Sequence, residues 1–470
     1  MTALGGLLNW DSTEQAITTL IASNPLASKL KLLAAGEPLI LVRNWYGQLT
    51  LLVPCSRVEL ERSQVAPLID AMKLAAGELA LESWTLCRDE LFDAASYWQD
   101  PSLIELLKLG ELGQTLTLML LERQDKEKDW LTPPTAQPAM SSGVKRCVFF
   151  SVKGGVGRSS ALTMLAIKLA SSGKRVLVVD GDFESPGVSS SLLPAGEGQP
   201  DYGVVDWLTA QALGATDAEL EHMALTSTAS PCPLNALLNL QGQILVSPAY
   251  GRKTEAYVAK LARTYRRSPA GKSYAQRLNE FLAISESQHK VDVTLFDCRA
   301  GIDDTAAVAI TQLLADISFL FAINTGQTWD SYRLLFKHLK RNVALFANVT
   351  TDEQDEAWDL RRSMRLVSAL TPQEAGAYLG YSDALQENAY DTFSEIYDED
   401  SGEDSYTFSP APEDTNAPHS ALSIQWVDAL RAFSPLTEPS QITDPLNQAA
   451  FSNFITRAMT LLGVEDEFQR

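Results

Sequence analysis

The chain has 470 residues, 45% of them apolar and 21% charged, with ordinary amounts of glycine and proline. A domain unit is typically ~150 residues, so two or three packed units are expected, and the composition excludes a wholly disordered chain, a collagen-like fibre and a small disulfide scaffold. The net charge is −21, and thirteen carboxylates with no Lys or Arg fall between Leu366 and Leu430, so passive, sequence-independent nucleic-acid binding is disfavoured.

The N-terminal sequence MTALGGLLNWDSTEQ has no basic stretch before its short apolar patch, so it does not read as a secretory signal. Pro38 to Arg43 and Gln48 to Val53 are apolar runs joined through NWYG, which predicts a hairpin. Helical spacing follows in VAPLIDAMKLAAGELA, and Thr115 to Leu121 is a further strand candidate. These elements predict an α+β unit over residues 1–132 with no catalytic spacing, read as a partner-binding or regulatory module. Residues 133–145, rich in Pro, Ser and Ala, read as a linker.

From residue 146 to 470 short apolar runs alternate with helical segments, which predicts an α/β unit with a mostly parallel sheet flanked by helices. The expected strands are Arg146–Ser151, Arg175–Asp180, Ile244–Ser247, Val293–Asp297, Ile317–Ile323, Leu366–Leu370 and Ala421–Trp426. Residues 391–420, acidic and rich in Pro and Ser, read as a mobile surface insertion. Its tyrosines, and the neighbouring Tyr390, read as exposed residues of a solvated loop. No apolar run approaches the ~20 residues that span a bilayer. The cysteines Cys55, Cys87, Cys147, Cys232 and Cys298 lie far apart without a CxxC, which argues against zinc, iron–sulfur and disulfide frameworks. A cytoplasmic location is expected.

One segment carries the chemistry: CVFFSVKGGVGRSSALTMLAIKLASSGKRVLVVDGD. A strand runs into a glycine-rich turn and then a helix whose Leu162, Leu165, Ala166 and Leu169 share one face, with Gly173 at its stop. Gly154, Gly155 and Gly157 allow backbone N–H groups to converge on phosphate oxygens, and the helix N-terminus adds its positive dipole end. The pattern GxxxxGK[ST] is broken twice, by Val152 in place of its first Gly and Arg158 in place of its Lys.

The loop instead resembles the deviant form KGGxGK[ST] of the ParA/MinD superfamily of ATPases. That resemblance implies an ATP–Mg²⁺ site formed by Lys153, Gly154, Gly155, Val156, Gly157, Arg158, Ser159 and Ser160. Within it, Lys153 reaches the phosphates of a partner subunit and Ser159 ligates the metal. VLVVDGDFESPG is similar to the superfamily's DxD segment, which places Asp182 near the attacking water and the metal shell. VTLFDCRAGID is similar to its Walker B strand, with Asp297 holding the metal's water. Singly, each acid is what many strand ends carry; all three motifs in order on alternating strands are not a chance pattern. QILVSPA and ALSIQWVDALRAFSPLTEP extend the likeness more weakly, so that it covers roughly residues 146–462. KGGVGR with DxRxG (Asp297, Arg299, Gly301) is similar to a variant branch of bacterial proteins, implying a role in a defence or regulatory system.

The resemblance implies a nucleotide-dependent switch that binds ATP–Mg²⁺ and hydrolyses it slowly. It would form a homodimer on nucleotide binding and act on a protein partner through the N-terminal unit or the acidic insertion. Arginine is bulkier than lysine, planar and always charged, so Arg158 opens the alternative of a degenerate or non-hydrolysing scaffold. A lesser alternative is a DNA-associated partition ATPase. The cations from Arg252 to Arg277, with Arg266 and Arg267 among them, read as a solvated face or a docking site for acidic protein rather than for DNA. The last helix, Phe451 to Leu462, reads as core packing rather than a membrane anchor, because Glu465, Asp466 and Glu467 follow it. The four histidines show no spacing for a metal or a nucleophile's base.

Overall fold

The computed structural model describes residues 10–44, 47–100, 103–110, 115–123, 130–132, 134, 143–265, 272–342, 345–346, 359–398 and 408–464. The chain divides into two compact units, Met1–Thr132 and Pro133–Arg470.

In the first unit the apolar runs pair as expected. Strand β1 (Leu39–Arg43) and strand β2 (Leu49–Val53) form an antiparallel hairpin, with Val42 opposite Thr50. They belong to a five-stranded sheet with β3 (Ala80–Cys87), β4 (Ile104–Leu109) and β5 (Leu116–Glu122), in the order β3-β2-β1-β5-β4. Helices Trp10–Ser23, Ala27–Ala34 and Ala66–Ala76 cover one face, burying Ile17, Ile21, Leu30, Leu68 and Met72 against it. The sequence pattern does not announce β3 and β4. Both are edge strands, and exposed Glu82, Glu105 and Lys108 dilute their apolar character.

In the second unit all seven expected runs form strands close to the expected bounds. They are β6 (Lys145–Ser151), β7 (Arg175–Asp180), β9 (Gln243–Ser247), β10 (Val293–Asp297), β11 (Ile317–Ala322), β12 (Met364–Thr371) and β13 (Leu422–Gln425), with a short β8 (Ser230–Pro231) beside β9. The order is β13-β12-β11-β6-β10-β7-β9-β8, parallel throughout except for β8. β7, β10 and β11 are buried almost end to end, as strands with both faces covered must be. The mixed α/β class is therefore the one expected.

Helix Arg158–Ser171 buries Leu162, Leu165, Ala166 and Leu169 in the main core. The last helix, Pro445–Leu461, starts on the cap of Asp444 and buries Phe451, Phe454, Ala458 and Met459. The Phe454 ring lies 5.2 Å from Phe319, 6.2 Å from Phe321 and 6.4 Å from Phe149. This helix packs in the core, and no helix among the described residues is long and apolar enough to cross a membrane. All five cysteines are free and buried.

The segment at 391–420 differs from the mobile insertion expected. Residues 399–407, with Tyr406, lie outside the described residues, but both flanks fold onto the unit. Ile396, Tyr397, Ala417 and His419 are buried, and Tyr397 Oη lies 2.6 Å from His419 Nδ1. The Arg361 guanidinium donates to Asp359 and, at 2.7 Å, to Asp398 Oδ1. A buried cation and an aromatic cluster thus bind a stretch whose composition alone reads as solvated. Tyr397 is accordingly not an exposed loop tyrosine.

Phe454→Ala removes a ring packed on three aromatic rings of two strands, β6 and β11. It should cost about 3–5 kcal/mol and lower the urea midpoint of the full chain, followed by far-UV circular dichroism.

Candidate functional site

The parallel register brings the ends of β6, β7 and β10 together. Asp297, the last residue of β10, stands opposite Phe149 of β6 on one side and Asp180 of β7 on the other. Beyond β7, the Gly181 amide donates to the Asp297 carbonyl at 2.9 Å. A Cβ on Gly181 would fall 2.3 Å from the Phe296 ring, so only glycine allows this approach. That contact puts Asp182 beside Asp297.

Residues 152–157 link β6 to helix Arg158–Ser171. Gly155 and Gly157 have φ of +75° and +79°, the left-handed region that favours glycine. Side chains built on Gly154, Gly155 and Gly157 would meet nothing within 4 Å, so the space above the loop is open. Val156 is buried and anchors the loop in the core. Among the described residues no backbone carbonyl accepts from the amides of Gly154, Gly155, Val156 or Gly157. Lys153 is half-buried and forms no ion pair with the described residues. Ser160 is half-buried and stands apart from the network below.

Arg158 points into the carboxylates. Its Nε lies 2.6 Å from Asp297 Oδ1, its Nη1 3.1 Å from Ser151 Oγ and its Nη2 3.5 Å from Asp182 Oδ2. Ser159 Oγ donates to Asp297 Oδ2 at 2.7 Å. Arg158 is 9% exposed and Asp297 1%. Burial works most strongly against the Arg158 cation, but the charge and hydrogen bond of Asp297, with smaller help from neighbours including Asp182, together outweigh it and leave the pKa above the ordinary value. Burial raises Asp182 to about 6 against the pull of Arg158. Burial and the Asp297 charge raise Asp180 to about 7; its Oδ2 accepts from Ser189 N and Oγ, while its Oδ1 is buried without a partner among the described residues.

The expected residues Asp182, Asp297, Arg158 and Ser159 therefore meet, with Lys153 and the glycines forming a separate open loop alongside. Sequence reasoning did not find Ser151, Gly181 or Glu184. Glu184 pairs with Arg299 at 3.3 Å and accepts from Tyr265 Oη at 2.7 Å. The Gly301 amide donates to the Ser151 carbonyl at 2.9 Å, which closes the DxRxG segment under the loop. A polar residue ending a strand gives no signal of such roles; the glycine between Asp180 and Asp182 was the one available hint. In the basic stretch, Arg252 and Lys253 pair with Asp201, Lys260 with Asp206 and Lys272 with Glu280. The buried Arg277 donates to the Leu208 and Thr264 carbonyls, and Arg266 and Arg267 lie outside the described residues.

Residues 147–375 match the CobQ/CobB/MinD/ParA nucleotide binding domain. Over that span the chain is similar to this family. Solved structures similar to it include a ParA family ATPase from Chlorobium tepidum TLS (14% identity, 67% of this chain and 98% of that one, TM-score 0.41). The cell division ATPase MinD of Pyrococcus furiosus is another (19%, 67% and 99%, TM-score 0.38). A third is the septum site-determining protein MinD of Pyrococcus horikoshii OT3, complexed with Mg-ADP (14%, 69% and 99%, TM-score 0.39). No curated protein matches the chain.

The two halves of the site differ in what they fit. The loop fits a phosphate chain, with open space, amides that have no backbone acceptor among the described residues and a 14-residue helix behind them. The carboxylates do not fit a divalent cation, because their oxygens are already taken by the chain's own donors.

Two outcomes follow for stability. Asp180 has a folded pKa raised from 3.8 to about 7, so the stability it contributes is lost as pH rises through that range. Asp180→Asn should flatten this loss and stabilise the protein by roughly 1–3 kcal/mol at pH 8, read from urea midpoints across pH. Gly181→Ala should destabilise by about 1–3 kcal/mol through overpacking against Phe296, read in the same assay.

Proposed function

We propose that the chain is a nucleotide-dependent switch that binds ATP through the loop from Lys153 to Ser160 and passes its nucleotide state to a protein partner. The observation that carries this reading is the open row of amides from Gly154 to Gly157 at the start of helix Arg158–Ser171. Backbone donors at a helix N-terminus bind anionic phosphate without further reorganisation. Lys153, which has no ion-pair partner among the described residues of its own chain, is placed to meet phosphate charge. In this reading it does so across a homodimer formed on nucleotide binding. Ser159 and Asp297 set the start of the helix, and Asp182 begins the loop that responds to the bound state. The relay to the partner is assigned to the N-terminal unit or the acidic segment. A protein partner is favoured over DNA because the described cations of the basic stretch that are paired are held by the chain's own carboxylates and carbonyls.

A second reading, binding without turnover, is favoured by one observation: Arg158 engages Asp182, the acid that the family resemblance places beside the attacking water. Slow hydrolysis and none at all differ only in how readily that contact opens. The chain then acts as a switch in the first case and as a nucleotide-loaded scaffold in the second.

Wild-type protein incubated with ATP, ADP or GTP and passed through a desalting column should retain adenine nucleotide and shift from monomer to dimer mass with ATP. Lys153→Ala should stay monomeric and bind ATP at least about tenfold more weakly. Phosphate release then separates the switch from the scaffold. Wild-type protein that retains no nucleotide would sink both.

A further inference from the structure

The positive charge next to the phosphate loop is spent inside the site. Two carboxylates, Asp182 and Asp297, meet at the ends of β7 and β10, and each of their four oxygens has a donor from the chain. Asp297 Oδ1 accepts from Arg158 Nε and Asp297 Oδ2 from Ser159 Oγ, at 2.6 and 2.7 Å. Asp182 Oδ2 faces Arg158 Nη2 at 3.5 Å, and Asp182 Oδ1 accepts from the Ser185 amide at 3.2 Å. The remaining guanidinium edge is fixed by Ser151 Oγ at 3.1 Å. Only a planar, multiply donating cation spans three acceptors on two strands and one loop in this way; an ammonium is a single point charge.

A divalent magnesium ion asks for near-octahedral oxygen ligands at about 2.0–2.1 Å and keeps several of its waters. Such an ion would compete with a buried guanidinium for the same carboxylates, and the Ser159 hydroxyl already donates a hydrogen bond to one of them. Two like-charged centres, one held covalently in the chain, do not share so small a space. We propose that Arg158 is the resident cation of this site, so that the chain binds its nucleoside polyphosphate without a divalent metal ion. The phosphates are then met by the loop amides, the helix N-terminus and Lys153 alone. The nucleotide half of this inference rests on the function proposed above; the exclusion of metal does not.

The test has two arms on the full chain. In the first, ATP and ADP affinities are measured by calorimetry with excess magnesium and with EDTA. Wild type should change by less than about twofold between the two buffers, whereas Arg158→Lys, which cannot span both carboxylates, should lose about tenfold or more in EDTA. A loss of that size in wild type overturns the proposal. In the second, manganese(II) is titrated without nucleotide and followed by its electron paramagnetic resonance signal, with melting temperature recorded in parallel. Wild type should leave the metal in solution, while Arg158→Ala should bind it and gain thermal stability from it. Should Arg158→Ala not fold, Arg158→Lys takes its place in this arm. Stoichiometric manganese binding by wild type overturns the proposal. If wild type binds no nucleotide in either buffer, the function proposed above fails, and the manganese arm alone decides whether Arg158 holds the site.

Discussion

A guanidinium buried between Asp297 and Asp182 is the interaction on which the site depends. Without it, two carboxylates at neighbouring strand ends would face each other in a region closed to water, where unpaired charge is costly. Removing one partner of such a buried pair typically costs about 3–5 kcal/mol. The pair also joins elements distant in sequence: Arg158 opens a helix, Asp297 ends β10 and Asp182 follows β7. Their meeting requires the parallel register of β6, β10 and β7 and the absence of a side chain at Gly181. The sheet's core, the strand ends and the helix start are therefore one mechanical unit.

Much of this is legible in the sequence, for a physical reason. Strands buried on both faces must be apolar nearly throughout, so VLVV and ISFLFA stand out, and glycines between such a strand and a helix mark a turn from one to the other. The edge strands β3 and β4 show the opposite case. With one side exposed they carry charge, and the pattern fades. The acidic segment misleads for a related reason. Composition counts its carboxylates but does not see Arg361 reaching Asp398, nor Tyr397 meeting His419 across the loop. Pairing between distant residues is invisible to a local count.

At the site the residue types are readable but their partners are not. An arginine in the lysine position of the loop reads, by charge, as a phosphate ligand. The structure turns it around, because the nearest unsatisfied negative charge belongs to the chain itself. Ser151 illustrates the limit again: a serine ending a strand has no signature, yet its hydroxyl orients Arg158 and its carbonyl holds Gly301.

The same contacts tie the carboxylates to the protein surface. The loop after β7 is pinned at both ends, by Asp182 to the Ser185 amide and by Asp180 to Ser189. In its middle, Tyr257 Oη donates to the Phe183 carbonyl, and Glu184 takes Arg299 and Tyr265. Tyr257 opens the helix Tyr257–Thr264, whose Val258 is 80% exposed. Asp180 is suited to pinning its end of the loop because burial holds its pKa near neutrality, so it is free to accept from two Ser189 donors without a fully charged group beside Asp297. The arrangement thus divides three neighbouring acids by their partners: Asp297 holds the cation and the helix start, Asp182 shares the cation and opens the loop after β7, and Asp180 fixes that loop to the sheet.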